Sequence, residues 1–224
     1  MTGNTPLQRP NTRLTAFDNL EMLVEQIDNA TNLENLKLWP LLLSMLDSPE
    51  SQLRRYAAWT IGTAVQNNPK AQNHLLRYKG IEKLVAKLDD EYSVRTKVLY
   101  ALGSELNHFP EGMARFRGAG GWGKLRRCVE GVDEGTECQR RVAFFLANHL
   151  AEEGGGVEGV AEQEFLKGFA EILRDEKYID KTDVVDTVRS LETGLMTDAG
   201  CGENVGGEED RHRRQRDSGA IERD

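Results

Sequence analysis

The stretch Ile61-Gly62-Thr63-Ala64-Val65-Gln66-Asn67-Asn68 closes a segment that begins near Ser51 and is predicted as one long helix over 51–68. Leu53, Ala57, Ile61 and Val65 are spaced four apart, so in a helix they share one face. Working outward, the same pattern returns 41 residues later as Val94, Val98, Leu102 and Leu106. Arg54 maps onto Arg95 and Gly62 onto Gly103 by the same shift. The rest of each unit follows suit. Leu43, Leu84 and Leu125 are spaced by 41, and Gly80 maps onto Gly121.

A fixed period of this length filled with helix signals is the signature of armadillo or HEAT repeats, in which each unit buries its apolar face only against its neighbours. The fold class expected is all-α: an armadillo/HEAT-like right-handed α-solenoid of about four repeats with disordered tails. No alternating apolar and polar run between turn residues suggests a strand.

Composition narrows the function. A net charge of −8 and a pI near 5.2 argue against a protein built to hold a phosphate backbone. The 38% hydrophobic content is low for a globular domain, which polar tails would explain. Cys128, Cys138 and Cys201 are odd in number and lie outside any CxxC spacing, so they read as thiols of a reducing compartment. Met1 is followed by no signal-like apolar run, and no run approaches bilayer length. The expectation is a soluble cytoplasmic protein with no membrane or nucleic-acid partner.

Along the chain, residues 1–11 are polar, punctuated by proline and expected to be disordered. A helix follows over 12–28, with Leu14, Phe17, Leu20, Val24 and Ile27 as its stripe, and a cap-rich break at 28–32. A short helix pair is expected over 33–47, Pro40 opening its second member. After 51–68 come helices near 70–78 and 80–89, then 93–109, 111–117 and 122–130. A further copy runs over 137–153. A shift of 44 puts Cys138, Val142, Leu146 and Leu150 on its core face, whereas a shift of 46 aligns Arg141 with Arg95. Weaker helices near 160–175 and 182–196 are read as an atypical closing repeat. The repeat domain thus spans 12–198, and the charged tail 199–224 is expected to be disordered.

No enzyme site emerges. Gly118-Ala119-Gly120-Gly121-Trp122-Gly123 satisfies GxGxxG, but a predicted helix precedes it where a dinucleotide fold needs a strand, so it reads as a repeat turn. His74, His108, His149 and His212 form no ligand spacing, and Cys138 and His149 would face different sides of their helix. Asp89-Asp90 and Glu152-Glu153 sit at helix ends and read as solvated. No metal and no cofactor is expected.

The remaining candidate is the concave wall, which the long helix of each armadillo repeat lines. Its non-core residues include Arg54, Arg55, Trp59, Thr63 and Gln66, then Arg95, Lys97, Tyr100 and Ser104, then Arg140, Arg141, Phe144 and Asn148. Arginines recur near helix N-termini, where the macrodipole disfavours positive charge. Either they meet an acidic partner, or their stems cover apolar edges between repeats. The two readings weigh evenly for Arg54 and Arg95; binding is favoured for Arg140 and Arg141. A peptide-reading ladder of Trp with Asn one turn later is missing, since Trp59 is followed by Thr63 and Tyr100 by Ser104. A folded partner is therefore favoured over a peptide.

Four segments in order carry a resemblance: 16–23 (AFDNLEML), 28–39 (DNATNLENLKLW), 61–68 (IGTAVQNN) and 94–102 (VRTKVLYAL). Together they resemble the fungal cytosolic nucleotide exchange factors for heat-shock protein 70, armadillo-type relatives of the animal heat-shock-protein-70-binding protein. The resemblance covers 12–153 well and 154–198 loosely. It implies a co-chaperone, not an enzyme, that binds the ATPase domain of cytosolic heat-shock protein 70 as a monomer, one to one, and accelerates ADP release. It also implies two contact positions, Ala30 in the break and Arg141 in 139–145 (QRRVAFF). Ala30→Arg or Arg141→Ala would then weaken binding and leave the melting temperature nearly unchanged.

Two features depart from the family. Its members usually begin with a longer N-terminal segment linked to releasing substrate from the chaperone, and the arginine-dense run from Arg211 to Arg216 is unlike their endings. The competing readings are a generic armadillo adaptor without exchange activity and, more weakly, an endoplasmic-reticulum exchange factor on the same fold.

Overall fold

A computed structural model describes residues 12–130 together with Cys138, Arg141, Val142 and Phe145. The described residues form α1 (Thr12–Val24), α2 (Ile27–Asn32), α3 (Trp39–Met45), α4 (Ser51–Val65), α5 (Pro69–Arg77), α6 (Gly80–Ala86), α7 (Tyr92–Leu106), α8 (Pro110–Gly118) and α9 (Gly121–Glu130), with a 3₁₀ turn over Lys87–Asp89. No strand occurs among them. The expected disordered tails, the helices near 160–175 and 182–196, and most of the 137–153 copy lie outside the described residues.

The long helices α1, α4 and α7 pack side by side as one layer, and the shorter helices close over its other side. Leu53, Ala57, Ile61 and Val65 are buried, as are Val94, Val98, Leu102 and Leu106. Leu43, Leu84 and Leu125 are buried too. Each large aliphatic side chain removed from water in this way contributes roughly 1.5–3 kcal/mol. The α4–α7 approach is close enough that a Cβ on Gly62 would stand 2.9 Å from the Ala101 Cα.

The period is written into the backbone as well. Asn67 and His108, one period apart, hold left-handed φ values of 51° and 52°. Just before them Gln66 and Asn107 turn extended, so α4 and α7 end three residues short of the expected 68 and 109. Lys79 and Gly120 form a second such pair, with φ of 56° and 73°. The GxGxxG run is therefore the α8–α9 turn of a repeat, equivalent to the Lys79 turn that leads into Gly80.

Two expectations are corrected and one open alternative is decided. The helix predicted over 12–28 breaks at Gln26, whose backbone is extended, and the predicted break at 28–32 is itself the short helix α2. Its Asn29 does act as a cap, Nδ2 donating to the Leu23 carbonyl at the end of α1 (2.9 Å). In place of a helix pair over 33–47, α3 alone follows a turn, with Pro40 in its first turn as expected. Third, fully buried Cys138 and Val142 select the shift of 44, so Arg141 takes the place of Lys97, not of Arg95.

Candidate partner-binding face

The open side of the α1–α4–α7 layer carries an unbroken row of side chains. Phe17 of α1 lies 6.4 Å from Tyr56 of α4, and Tyr56 stacks on Trp59 at 5.8 Å with 27° between the rings. The next member is a cation: Lys97 of α7 holds its Nζ 3.6 Å from the Trp59 ring centroid. Beside this row, the Thr63 hydroxyl donates to Glu21 Oε1 (2.7 Å) and the Tyr100 hydroxyl donates to Gln66 Oε1 (3.1 Å). The three long helices are thus joined on this side by polar and aromatic contacts, while their aliphatic stripes join them on the other.

Lys97 sits in a cationic surrounding. Its ammonium pKa is lowered, first by burial and then by the nearby charges of Arg55 and Arg141, against a smaller opposing pull from Glu21. Arg55 and Trp59 are half-buried, and so are Tyr100 and Arg141. Arg141 also lines an open groove of about 270 Å³ whose floor is Leu99, Gly103 and Phe145 and whose rim carries the amides of Gln66, Asn67 and Asn107.

Other expected contact residues are used inside the fold. Arg54 forks onto Asp90, Nε to Oδ2 at 2.8 Å and Nη2 to Oδ1 at 2.7 Å, with the two side chains only 13% and 11% exposed. Its Nη1 donates to the carbonyls of Ser48 (2.9 Å) and Pro49 (3.2 Å). Arg54 therefore ties the turn before α4 to the turn before α7. Arg95 repeats the second half of this pattern, Nη2 donating to the Asp90 carbonyl at 2.8 Å. Arg54 and Arg95 thus meet local acceptors near their helix N-termini.

Asp90 and Asp89, expected to be solvated, are paired instead. Burial alone would raise the Asp90 carboxyl, but the Arg54 guanidinium and the Glu91 backbone amide outweigh it, and Asp90 is held below the usual range. Asp89 pairs with Lys124 and Arg127 of α9. Ala30 is 1% exposed and packed in the core of α2. Arginine there would have to displace core groups. The expectation that Ala30→Arg leaves melting unchanged is not compatible with that burial. Arg140, Phe144 and Asn148 lie outside the described residues.

Phe17, Glu21 and Tyr56 are members of this face that sequence reading did not single out, and Lys97 was noted only as a non-core residue. The signal available was helical spacing: Phe17 and Glu21 are one turn apart on α1, as Tyr56 and Thr63 are two turns apart on α4. Among the described residues no group of His, Cys, Asp and Glu is arranged to hold a metal, and no helix is long and apolar enough to cross a membrane.

Comparison with known proteins adds to this geometry. Residues 29–168 match the model of the SIL1/FES1/HPBP1 C-terminal domain, and residues 4–33 match that of the nucleotide exchange factor Fes1. The Hsp70 nucleotide exchange factor fes1 of Schizosaccharomyces pombe is 48% identical over 141 residues, covering 62% of this chain and 49% of that protein. Its counterpart from Mycosarcoma maydis is 42% identical over 135 residues, covering 60% and 34%. The chain thus spans half or less of the length of these curated relatives. Among solved structures, a designed armadillo repeat protein in complex with the peptide (KR)4 superposes with a TM-score of 0.69 at 17% identity, covering 88% of this chain and 84% of that one. A computationally designed armadillo repeat protein for modular peptide recognition gives 0.68 at 17% identity, covering 84% and 79%. These likenesses establish the armadillo-like solenoid. The relatives are named as exchange factors, not as catalytic enzymes. With the matched domain running through more than half of its length, the chain belongs to the SIL1/FES1/HPBP1 family.

Proposed function

We propose that this chain is a nucleotide exchange co-chaperone: a monomer that docks the open face of α1, α4 and α7 on the ATPase domain of a cytoplasmic heat-shock protein 70, one to one, and speeds ADP release. The observation that carries the reading is the family match over residues 29–168, which takes in α4 and α7 with their cationic and aromatic side chains. The relatives named above carry the same activity in their names.

The work is differential binding. A rigid wall that fits the ATPase domain better when its nucleotide cleft is open stabilises that conformation, and linkage requires ADP and the factor to weaken each other. No covalent step or bound cofactor is part of this scheme. The contacts assigned are Arg55, Trp59, Lys97, Tyr100 and Arg141. Arg54, Arg95 and Ala30 act by holding the wall in shape. The repeat domain is assigned to 12–198, with tails on either side.

The test is stopped-flow release of a fluorescent ADP analogue from heat-shock protein 70, with and without micromolar amounts of this chain. Acceleration that Arg141→Ala diminishes supports the reading. Binding without acceleration would make the chain an adaptor, and the absence of both would overturn the proposal.

A further inference from the structure

Several outer-surface cations are matched with carboxylates, Lys83 and Lys87 with Asp47, Arg77 with Glu34, Arg115 with Glu82, and Lys124 with Asp89, while Lys37, Lys70 and Lys79 stand exposed in water. The centre of the open face differs in that its cations are half-buried. Lys97 has no carboxylate partner; its Nζ rests on the Trp59 ring at 3.6 Å and lies 6.0 Å from that of Tyr100. Arg55, one turn before Trp59 on α4, is close enough to Lys97 to repel it and has no ion pair either. Glu21, whose charge acts on Lys97, takes the Thr63 hydroxyl and is itself buried.

Half-burying an ammonium beside two guanidinium groups costs free energy, because each like charge disfavours the next. The Trp59 face offsets part of that cost and fixes where the ammonium stands. Two neighbouring half-buried cations, one of them seated on an aromatic ring and neither held in an ion pair, are complementary to an anion supplied from outside. Arginine and tryptophan on such a face are the residue types that dominate binding hot spots.

We infer that Lys97, standing on Trp59, and the neighbouring Arg55 form the receptor for a carboxylate on the folded partner, and that this one contact sets partner choice on the face. The inference rests on the exchange-factor reading and adds the chemical group recognised. The receptor lies across the α4–α7 seam, so both helices must be in register for it to exist. It lies beside the groove at Arg141 and is not part of that groove.

The test compares the full chain with Lys97→Met and Lys97→Arg for affinity toward the isolated ATPase domain over a range of salt. Melting temperatures are recorded alongside. Methionine keeps the stem that lies on Trp59 and removes the charge; arginine keeps a cation there. Lys97→Met is expected to weaken binding about tenfold or more and to flatten the salt dependence, with an unchanged or raised melting temperature. Lys97→Arg should stay within about threefold of the parent. If the parent binds and Lys97→Met binds equally well with the same salt dependence, the receptor assignment is overturned and the exchange-factor reading stands. A Lys97→Met chain that melts lower but binds as the parent also overturns it, since Lys97 would then be structural. If the parent itself neither binds nor accelerates ADP release, the exchange-factor reading falls and takes this assignment with it.

Discussion

Glu105 offers the sharpest test of the packing. It sits in α7 with no exposed surface, and neither carboxyl oxygen has a hydrogen-bond partner. Burial pushes its pKa from an ordinary 4.5 up to about 10. In the folded chain the group is therefore a neutral acid at physiological pH, while in the unfolded chain it is ionised. Between those two values the folded state holds a proton that the unfolded state has lost, so stability falls as pH rises. The slope for one group is roughly 1.4 kcal/mol per pH unit. Three units above 4.5, near pH 7.5, the accumulated cost is about 4 kcal/mol, a large share of a domain's net stability. Glutamine has nearly the same shape and no charge in either state. Glu105→Gln should therefore be within about 1 kcal/mol of the parent at pH 5 and more stable by about 3 kcal/mol at pH 7.5, the remainder being lost to the buried amide. Urea unfolding followed by far-ultraviolet circular dichroism at half-unit pH steps reads this directly. Parallel stability curves for parent and variant from pH 5 to 8 would mean that the native carboxyl is ionised and reached by water, and the argument would fail.

Two further outcomes follow from the α4–α7 seam. Arg54→Met removes the fork onto Asp90 and leaves a mostly buried carboxylate without its guanidinium, held only by the Glu91 amide, so it should cost about 2–4 kcal/mol at pH 7 in urea unfolding. Because Arg54 holds Asp90 below its ordinary pKa while burial alone would raise it, that difference should be present at neutral pH and fade as pH falls through the Asp90 titrations of variant and parent. Gly62→Val would drive methyl groups into the Tyr100 ring and the Ala101 backbone, and a melting temperature lowered by the equivalent of about 2–3 kcal/mol is expected.

Most of the core was legible because a helical stripe repeated at a fixed interval specifies burial twice over, once by period and once by copy. Leu53 through Val65 and Val94 through Leu106 illustrate this. Helix ends were less legible. The stripe of α1 continues through Val24 to Ile27, yet the chain breaks between them at Gln26, and Ile27 is 59% exposed. Nothing local distinguishes a continuous stripe from one that resumes on a new helix. The role of Arg54 was not legible at all, because its partner Asp90 stands 36 residues away and meets it only when the repeats stack. Ala30 was expected as a contact residue from the family resemblance; its burial in the core at 1% exposure was not legible in the sequence. Lys97 was visible as a non-core residue; what the sequence did not show is that Trp59 would be beneath it.

Gln72 of α5 donates from Nε2 to the carbonyls of Ser104 (3.2 Å), Glu105 (2.9 Å) and Asn107 (3.1 Å), completing the end of a helix that belongs to the following unit. Asn68 reaches the other way, toward the Ile27 carbonyl (3.3 Å), and Cys128 donates from Sγ to the Leu88 carbonyl (3.4 Å). Each unit is thus finished by atoms of its neighbour, so the module that evolution can duplicate and the module that can melt alone are different lengths of chain. A cut at a unit boundary would leave ragged carbonyls on one side and idle donors on the other. Hydrogen exchange should accordingly show α5 and α7 opening together, although the primary structure assigns them to separate steps of the solenoid.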